Sequence, residues 1–260
     1  MSPNFKIGIM KNKSLLLALV AMGLLLCFSS CKKDKVVDGL IEGAVTDIDG
    51  NTYNAVQLGD QVWMASNLRC TKYADGTGLT YGLTVTSDAP CYYPPNDNID
   101  IVDTCGYLYN WKAVMRSSST SYLKPSGVQG ICPDGWHVPS VEEWRTLLDY
   151  LGTNANYITG ENSKNVAKSL AANELWTVDS INAYTVGNDL SANNATLFTA
   201  YPAGSYNGNY VRYGTRADFW TCSEHSATAA DIASLSHNSP IVSINNGEKT
   251  YGRSVRCVKD

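Results

Sequence analysis

The chain has 260 residues, of which 44% are hydrophobic and 17% are charged, with 20 basic and 24 acidic side chains. This composition is apolar enough to bury a core, and beyond a leader the length suits one large domain or two small ones. The mildly acidic balance and the absence of a long basic run argue against a nucleic-acid partner.

The first 30 residues are typical of a secretory leader. They contain three lysines, no acidic residue and the apolar run LLLALVAMGLLLCF, and small residues precede Cys31. The pair Ser29 and Ser30 resembles the lipobox of bacterial lipoproteins, which predicts a signal peptide over residues 1–30 and lipid attachment at Cys31. Cys27 is a rival acceptor, but a bulky leucine directly before the cut is disfavoured. An ordinary signal peptide or a single N-terminal anchor stays open as the alternative.

Residues 31–42 are interpreted as a short lipidated tether and residues 43–260 as the folded domain. Without the leader the chain has 17 basic and 24 acidic residues, so its formal charge is 17 minus 24, or −7. We therefore expect an outer-membrane lipoprotein, at the cell surface or on the periplasmic face, that contacts the membrane through its lipid.

The domain opens with a predicted β-hairpin. Residues 43–67 alternate apolar and polar side chains around Asp49 and Gly50, a pair that favours a tight hairpin turn. A second turn at Gly59 and Asp60 leads into the predicted strand QVWMA. Further on, residues 106–115 (GYLYNWKAVM) predict a short helix or a strand that runs into one.

The strongest helix signal follows the stretch CPDGWHVPSVEEW. Ser140 and Glu143 have the spacing of a capping box, in which each side chain bonds the other's backbone N–H. Apolar residues then recur at helical spacing until Gly152, at Val141, Trp144, Leu147, Leu148 and Leu151. Glu143 is thus explained as a capping residue, and His137 is interpreted as a packed or hydrogen-bonded side chain.

The remaining elements are predicted from weaker patterns. Residues 163–176 carry a thin apolar stripe and predict a second helix. Beyond Trp176, short apolar pieces between loops predict strands at LFTAYPAG, DFWTCSE, IASLS and SVRCVKD. The sequence therefore predicts an α+β domain, in which one main helix and one or two shorter helices pack on small irregular antiparallel sheets joined by many loops.

Six cysteines remain in the predicted mature chain: Cys70, Cys91, Cys105, Cys132, Cys222 and Cys257. An even number in an exported protein favours disulfide bonds, but six cysteines allow fifteen pairings and spacing alone does not choose among them. A zinc site is not expected, since the chain has no C-x-x-C motif and its three histidines are scattered.

Six ordered motifs carry a family resemblance. They are VTDIDGNTYNAVQLGDQVWMASNLR, YGLT with CYY and CGYLYNWKAVM, GICPDGWHVPSVEEWRTLLDYLG, NNATLFTAYPAG, FWTCSE and YGRSVRCVKD. In this order they resemble the Fibrobacter succinogenes major paralogous domain, which is common in lipoproteins of the Bacteroidetes, and the similarity runs over residues 43–260. That family in turn resembles the C-type-lectin-like fold in the version of formylglycine-generating enzymes. The resemblance implies a C-type-lectin-like, disulfide-bonded, loop-rich domain.

The resemblance also implies a set of cysteine pairs. The family often has a cysteine pair where Cys91 and Cys105 stand, and a Cys132–Cys257 bond would join the two ends of a lectin-like fold. Cys70 and Cys222 would then form an extra pair, Cys70–Cys222. One or two free buried thiols stay open as the alternative.

The late part of the chain has the composition of a binding surface. The chain has 16 Tyr and 6 Trp against only 4 Phe. Aromatic side chains with a polar group at the tip are suited to partly hydrated interfaces and to the apolar faces of sugars. Residues 201–220 combine Tyr, Gly, Asn and Arg as paratope loops do. We expect a glycan or an envelope protein to bind at Tyr206, Tyr210, Arg212, Tyr213, Arg216, Asp218 and Trp220. The alternative is that most of these side chains pack against strands.

We expect no catalysis, although formylglycine-generating enzymes share the fold that the resemblance implies. Their chemistry depends on a reactive cysteine pair near the end of the domain, where this chain has only Cys222 and Cys257, each with a disulfide partner implied. The domain is therefore interpreted as a non-catalytic binding module. A structural or adhesion component of the envelope, without a small-ligand pocket, stays open as the alternative.

Calcium is the one cofactor for which the sequence offers ligands. The acidic loop PPNDNIDIVD, residues 94–103, offers carboxylates at Asp97, Asp100 and Asp103 together with Asn96 and Asn98, and calcium prefers such oxygen ligands. The usual sugar-binding calcium signatures of lectins are absent, and a solvated acidic loop explains these residues equally well. No other cofactor is expected.

Overall fold

A computed structural model describes Met1, residues 36–37, residues 39–82, residue 84 and residues 89–260. Every element described below belongs to one compact unit, Asp34–Asp260. The predictions of a signal peptide and of lipid attachment at Cys31 fall outside the described residues.

The described part of the chain forms fourteen short strands and four α-helices. The strands are β1 Val36–Val37, β2 Leu40–Thr46, β3 Thr52–Leu58, β4 Gln61–Met64, β5 Thr80–Tyr81, β6 Cys91–Tyr93, β7 Leu108–Tyr109, β8 Trp136–His137, β9 Ser205–Tyr206, β10 Tyr210–Val211, β11 Arg216–Glu224, β12 Ala229–Ser236, β13 Ser243–Glu248 and β14 Val258–Lys259. The helices are α1 Val102–Cys105, α2 Trp111–Met115, α3 Val141–Thr153 and α4 Ala167–Leu170. The predicted α+β class, with few helices and small sheets, is confirmed.

The strands form four separate sheets. The largest has the order β1-β2-β3-β4-β14-β8, and the others are β11-β12-β13, β9-β10 and β5-β6-β7. Pairing is antiparallel throughout except between β5 and β6. The last strand, β14, lies between β4 and β8, where Val258 pairs with both Trp63 and His137. The C-terminus is therefore held inside the largest sheet.

The hairpin and the main helix form as predicted. Asp47 Oδ1 accepts the backbone N–H groups of Asp49 and Asn51 at 3.0 and 2.9 Å, and Gly50 has φ +85°. At α3 both halves of the capping box are present, since Ser140 Oγ accepts Glu143 N–H and Glu143 Oε2 accepts Ser140 N–H. These are local interactions of about 1 kcal/mol each, which is why a sequence pattern reveals them.

The second predicted helix is mostly wrong. Of residues 163–176 only α4 is α-helical, because Ala171 turns to an extended conformation and forms a bridge with Ala200. Ala200 N–H donates to Leu170 C=O at 2.8 Å, and Ala172 N–H donates to Ala200 C=O at 2.9 Å. Within the described residues the piece LFTAYPAG forms only isolated bridges, Ala171–Ala200 and Gly204–Ala217, so that piece is not a strand.

The core lies on both sides of three strands. β3 directs Tyr53 and Ala55 into one hydrophobic cluster and Val56 and Leu58 into another, as alternating strand side chains do. β4 and β11 are divided in the same way, with Phe219 in one cluster and Trp220 in the other. A third, smaller cluster lies under β6, β7 and the late loops. None of the described helices is long and apolar enough to cross a membrane.

One of the three expected disulfide bonds is present. Cys132 and Cys257 are bonded, which joins the segment before α3 to the last strand across a sequence separation of 125 residues. The expectation of Cys91–Cys105 and Cys70–Cys222 bonds is wrong for this structure, in which these four cysteines are free and buried.

Three of the four free thiols lie near a hydrogen-bonding partner, and all four have a raised pKa. Cys91 Sγ lies 3.0 Å from the Tyr93 hydroxyl, Cys70 Sγ lies 3.9 Å from Ile131 C=O, and Cys222 Sγ lies 3.5 Å from Ser121 C=O. Burial raises the pKa of Cys105 and of Cys222 to about 12 and also raises the pKa of Cys70 and of Cys91. Because the thiolate is the reactive form, these thiols oxidise slowly.

Peptide mapping tests this cysteine pattern. After alkylation in denaturant without reductant, we expect one cross-linked pair, Cys132 with Cys257, and alkylated peptides for the other four cysteines. A reduced digest, in which Cys132 and Cys257 appear separately, is the control. A peptide that joins Cys91 to Cys105, or Cys70 to Cys222, would contradict the structure.

Candidate ligand-binding surface

The seven late residues predicted to bind ligand divide into an outer and a buried group. Tyr206, Tyr210, Tyr213 and Arg216 are half-buried and Arg212 is exposed. We call these five residues the late-loop surface. Asp218 and Trp220 are only 1% and 0% exposed.

The tyrosines of the late-loop surface stand on the β9-β10 hairpin and the turn after it. The Tyr206 ring stacks on buried Tyr93 at 4.1 Å between centroids, and Tyr210 lies 4.9 Å from Tyr206. Burial, followed by the nearby Asp97 carboxylate, raises the pKa of Tyr210 to about 12. The Tyr210 hydroxyl therefore stays protonated at neutral pH and is hydrogen-bonded to Asp97.

Three arginines gather around one buried carboxylate below this hairpin. Arg216 Nε lies 3.4 Å from Asp218 Oδ1, and Arg253 Nε lies 4.0 Å from Asp218 Oδ2. Ser234 Oγ donates to Asp218 Oδ1 at 2.6 Å. Burial lowers the pKa of Arg253, and the positive charges of Arg212 and Arg216 act in the same direction. Arg212 is therefore close enough to Arg253 for the two charges to interact.

A tight turn places Arg212 beside Arg216. The carbonyl of Arg212 accepts three bonds, each of 3.0 Å, from Thr215 N–H, Thr215 Oγ1 and Arg216 N–H. Arg212 itself has φ +64°, a left-handed conformation that is uncommon for a residue other than glycine. Such a conformation costs free energy and persists because the turn's hydrogen bonds hold it.

The expected ligand contacts of Asp218 and Trp220 are wrong, because both side chains are buried. Trp220 Nε1 donates to Tyr109 C=O at 2.7 Å, and its ring supports the Arg253 guanidinium at 4.5 Å. Asp218 supplies the negative charge between Arg216 and Arg253. Both residues hold the arginines from beneath. In β11 both faces are buried, so composition alone did not reveal which side chains reach solvent.

A second group of tyrosines was missed by the sequence reasoning. Tyr81, Tyr92 and Tyr107, here called the tyrosine row, contact one another edge to face at 5.5 and 4.7 Å. Tyr81 is 54% exposed, and the other two are half-buried. Burial raises the pKa of Tyr92 and of Tyr107. The pair Tyr92–Tyr93 could have indicated this row from the sequence. Neighbouring residues of a strand point to opposite faces, so two adjacent tyrosines in one strand do not both point to the same side.

The charged groups near the tyrosine row are paired with one another. Arg69 Nε lies 3.6 Å from Asp103, and Lys72 Nζ lies 2.9 Å from Asp49. The row therefore combines exposed aromatic rings with balanced charges, whereas the late-loop surface has an excess of positive charge.

Comparison with known proteins settles the family. The model of the Fibrobacter succinogenes major domain matches residues 56–259. This chain belongs to that family. The matched range includes the whole late-loop surface, the tyrosine row and the Cys132–Cys257 disulfide bond. Neither the curated proteins nor the solved structures gave a match to the chain.

Several side chains of the acidic loop in this Fibrobacter succinogenes major domain have local partners. Asp97 interacts with the Tyr210 hydroxyl, and Asp103 is 95% exposed beside Arg69. The side chain of Asn98 accepts Asp100 N–H at 2.9 Å. Among the described residues, no three His, Cys, Asp or Glu side chains are placed to hold a metal ion together. Calcium binding at Asp97, Asp100 and Asp103 stays a prediction.

The indole of Trp111 in this domain lines an open cavity of about 440 Å³. The cavity is a poor place for a stacked ligand ring, because the Lys249 ammonium covers the indole at 4.5 Å. Lys249 is held there by Glu224 at 3.2 Å and by Ala227 C=O at 3.0 Å. The late-loop surface and the tyrosine row are therefore the better candidates.

His137 is hydrogen-bonded, as predicted, and connects α3 to the C-terminus. Nε2 lies 2.7 Å from Glu143 Oε1 and Nδ1 lies 2.7 Å from Asp260 Oδ1, with the imidazole 2% exposed. Burial opposes a positive charge here, but the hydrogen bonds and charges of Glu143 and Asp260 outweigh it and raise the pKa of His137. Protonated His137 donates to both carboxylates at once.

This arrangement predicts a pH-dependent stability. Because the folded pKa of His137 is raised above the unfolded value of about 6.5, its contribution is complete below that value and is lost as pH rises through the folded pKa. We expect His137→Gln to lower the free energy of unfolding by about 3 kcal/mol at low pH, since Glu143 loses its buried partner. Urea titrations from about pH 5 to about pH 9 should show this difference shrinking.

The control for that series is His225→Gln, because His225 is half exposed and pairs with Asp231 at 3.0 Å on the surface. If the loss of unfolding free energy caused by His137→Gln stays constant or grows with rising pH, the raised pKa of His137 is contradicted.

A second stability comparison separates the buried from the outer residues. We expect Trp220→Ala to lower the free energy of unfolding by about 3–5 kcal/mol, because a buried ring and its hydrogen bond are lost. Tyr210→Ala should cost only about 1 kcal/mol, the value of one partly exposed aromatic contact. Urea unfolding measures the free energy of unfolding of both variants. Equal losses would contradict the placement of Trp220 in the core and Tyr210 at the surface.

Proposed function

We propose that this protein is a non-catalytic outer-membrane lipoprotein that binds a glycan, at the cell surface or on the periplasmic face. The observation that carries the proposal is the late-loop surface, which leaves three tyrosine rings half-exposed beside two arginines. Aromatic rings with polar tips contact apolar sugar faces while their hydroxyls bond sugar hydroxyls. The tyrosine row offers a further set of exposed rings on the neighbouring β5-β6-β7 sheet.

The C-type-lectin-like fold is part of this proposal. It is supported by one long capped helix, small sheets and a disulfide bond that joins the segment before that helix to the last strand. Loops held on such a frame present side chains without a deep pocket, as a lectin-like ligand surface requires.

The chemistry of the cysteines supports a non-catalytic role. A formylglycine-generating type of reaction depends on a reactive cysteine pair late in the domain. Cys257 is bonded to Cys132, and burial raises the pKa of Cys222 to about 12. A thiol with this pKa supplies almost no thiolate at neutral pH.

One observation favours a protein ligand as the second candidate function. The loop between Trp176 and Thr185 exposes apolar side chains, with Ile181 at 94% and Val178 at 73% exposure. Asp179 holds this loop by accepting Ile181 N–H at 3.0 Å and Thr185 Oγ1–H at 2.7 Å. Held apolar side chains of this kind are typical of protein contact sites, which would suit an adhesion or structural component.

A glycan array probed with the full-length protein tests the proposed function. We expect reproducible glycan binding that Tyr206→Ala and Tyr210→Ala weaken by about tenfold or more, since each substitution removes an aromatic contact. Tyr184→Ala is the matched control, because Tyr184 is 47% exposed and stands outside both tyrosine groups. A blank array from well-folded protein, or binding that ignores both tyrosine variants, would contradict the proposal.

A further inference from the structure

The arginine cluster beneath the late-loop surface has an unbalanced charge. Asp218 is the only acid among the described residues that forms an ion pair with Arg216 or Arg253, and Arg212 has none. Two of the arginines thus share one carboxylate and Arg212 adds a third positive charge, against which the surface has only Asp97 beside Tyr210. This excess occurs in a predicted mature chain whose formal charge is −7. A structural ion pair needs no such excess, and excess charge of one sign attracts ligands of the other sign.

The hydrogen-bonding groups of the cluster are also incompletely used. Arg216 Nε and Arg253 Nε are buried and have no hydrogen-bond partner, although both lie near Asp218. Arg253 Nη1 donates to Glu248 C=O at 3.3 Å, whereas no hydrogen bond within the described residues engages the outer nitrogens of Arg212 or Arg216. Guanidinium groups with free donors on the solvent side are ready to bind an oxyanion.

The position of the cluster relates it to the tyrosines. Arg212 follows β10 directly, and the hairpin pairs Tyr210 with Tyr206. Gly204, just before β9, donates its N–H to Arg216 C=O at 2.9 Å. The tyrosines and the two arginines therefore belong to the same hairpin and the turn that follows it.

We infer that the ligand is an acidic glycan, whose sugar carboxylate binds Arg212 and Arg216 while sugar rings contact Tyr206 and Tyr210. This inference rests on the proposed function and names the class of its ligand. Carboxylate is favoured because the planar guanidinium fork matches its two oxygens. Asp218 holds Arg216 and Arg253 in place, Trp220 supports Arg253, and the turn fixes the backbone from which the Arg212 side chain extends.

The test compares oligosaccharides that differ only in charge. Oligogalacturonate and oligoglucuronate hexasaccharides are titrated into the full-length protein by calorimetry, beside the same oligosaccharides with each carboxyl group reduced to a hydroxymethyl group. We expect the acidic forms to bind at least about tenfold more tightly than their reduced counterparts. Raising NaCl from about 50 mM to about 300 mM should weaken the acidic forms only.

Matched variants assign the site. Arg212→Gln is the main variant, because Arg212 is exposed and its side chain forms no hydrogen bond or ion pair with any other described residue. We expect it to weaken the acidic hexasaccharides by about tenfold or more without changing the melting temperature. Arg216→Lys should lose part of the affinity, since it keeps the charge but not the fork. Arg145→Gln, on the exposed side of α3, removes the same charge elsewhere and should change nothing.

Three results would overturn the inference. Tyrosine-dependent binding of reduced glycans that ignores Arg212→Gln would leave the proposed function standing and remove the acidic ligand. Binding of a hexaglutamate peptide in an Arg212-dependent way, with no glycan bound, would assign the cluster to a protein ligand. No binding by any oligosaccharide to folded protein would overturn both proposals.

Discussion

The domain depends on one buried guanidinium that forms no ion pair with a carboxylate in the described part of the chain. Arg256 is fully buried, and burial lowers its pKa to about 9. Its nitrogens donate to Asn67 Oδ1 at 3.2 and 2.5 Å and to the carbonyls of Met64 and Thr199 at 3.0 and 3.2 Å, and they also bond Phe198 C=O. The rings of Phe198 and Phe219 lie 4.3 and 5.5 Å from the guanidinium. A buried charge is tolerable only when its donors are satisfied in this way.

The acceptors of Arg256 come from distant parts of the chain, so their arrangement constrains the fold. Met64 ends β4, Asn67 follows it, and the 198–199 carbonyls belong to the segment that leads into the late loops. The next residue, Cys257, is bonded to Cys132 before α3. One guanidinium and one disulfide thus join the first hairpin, the main helix and the entrance to the late-loop surface. A rigid frame of this kind lowers the entropy that a ligand surface loses on binding.

How much could be predicted from the sequence depends on the range of the interactions. The Asp49–Gly50 hairpin and the capped helix α3 depend on residues a few positions apart, and both were predicted correctly. Helix α4 is short because Ala171 pairs with Ala200, a contact between segments that no local pattern encodes. The cysteine pairs implied by resemblance failed twice, because whether two sulfurs meet depends on the packing of separate elements.

The candidate site was also predicted only in part from the sequence. Composition located the late-loop segment and five residues that reach its surface, but it also included Asp218 and Trp220, which β11 buries. Arg253 was missed because it lies far along the chain and joins the cluster through Asp218 and Trp220. The tyrosine row was missed because β5 and β6 have only two and three residues and Tyr107 precedes β7, which leaves almost no periodicity to read.

In the proposed function the late-loop surface holds the ligand, and Asp218 and Trp220 support it from below. A crystal structure of the protein with an acidic hexasaccharide is the decisive test. We expect a sugar carboxylate about 3 Å from the guanidinium nitrogens of Arg212 and Arg216. We also expect a sugar ring against Tyr206 or Tyr210, with Asp218 still buried. An ordered oligosaccharide in the Trp111 cavity, with the arginines unoccupied, would contradict this expectation.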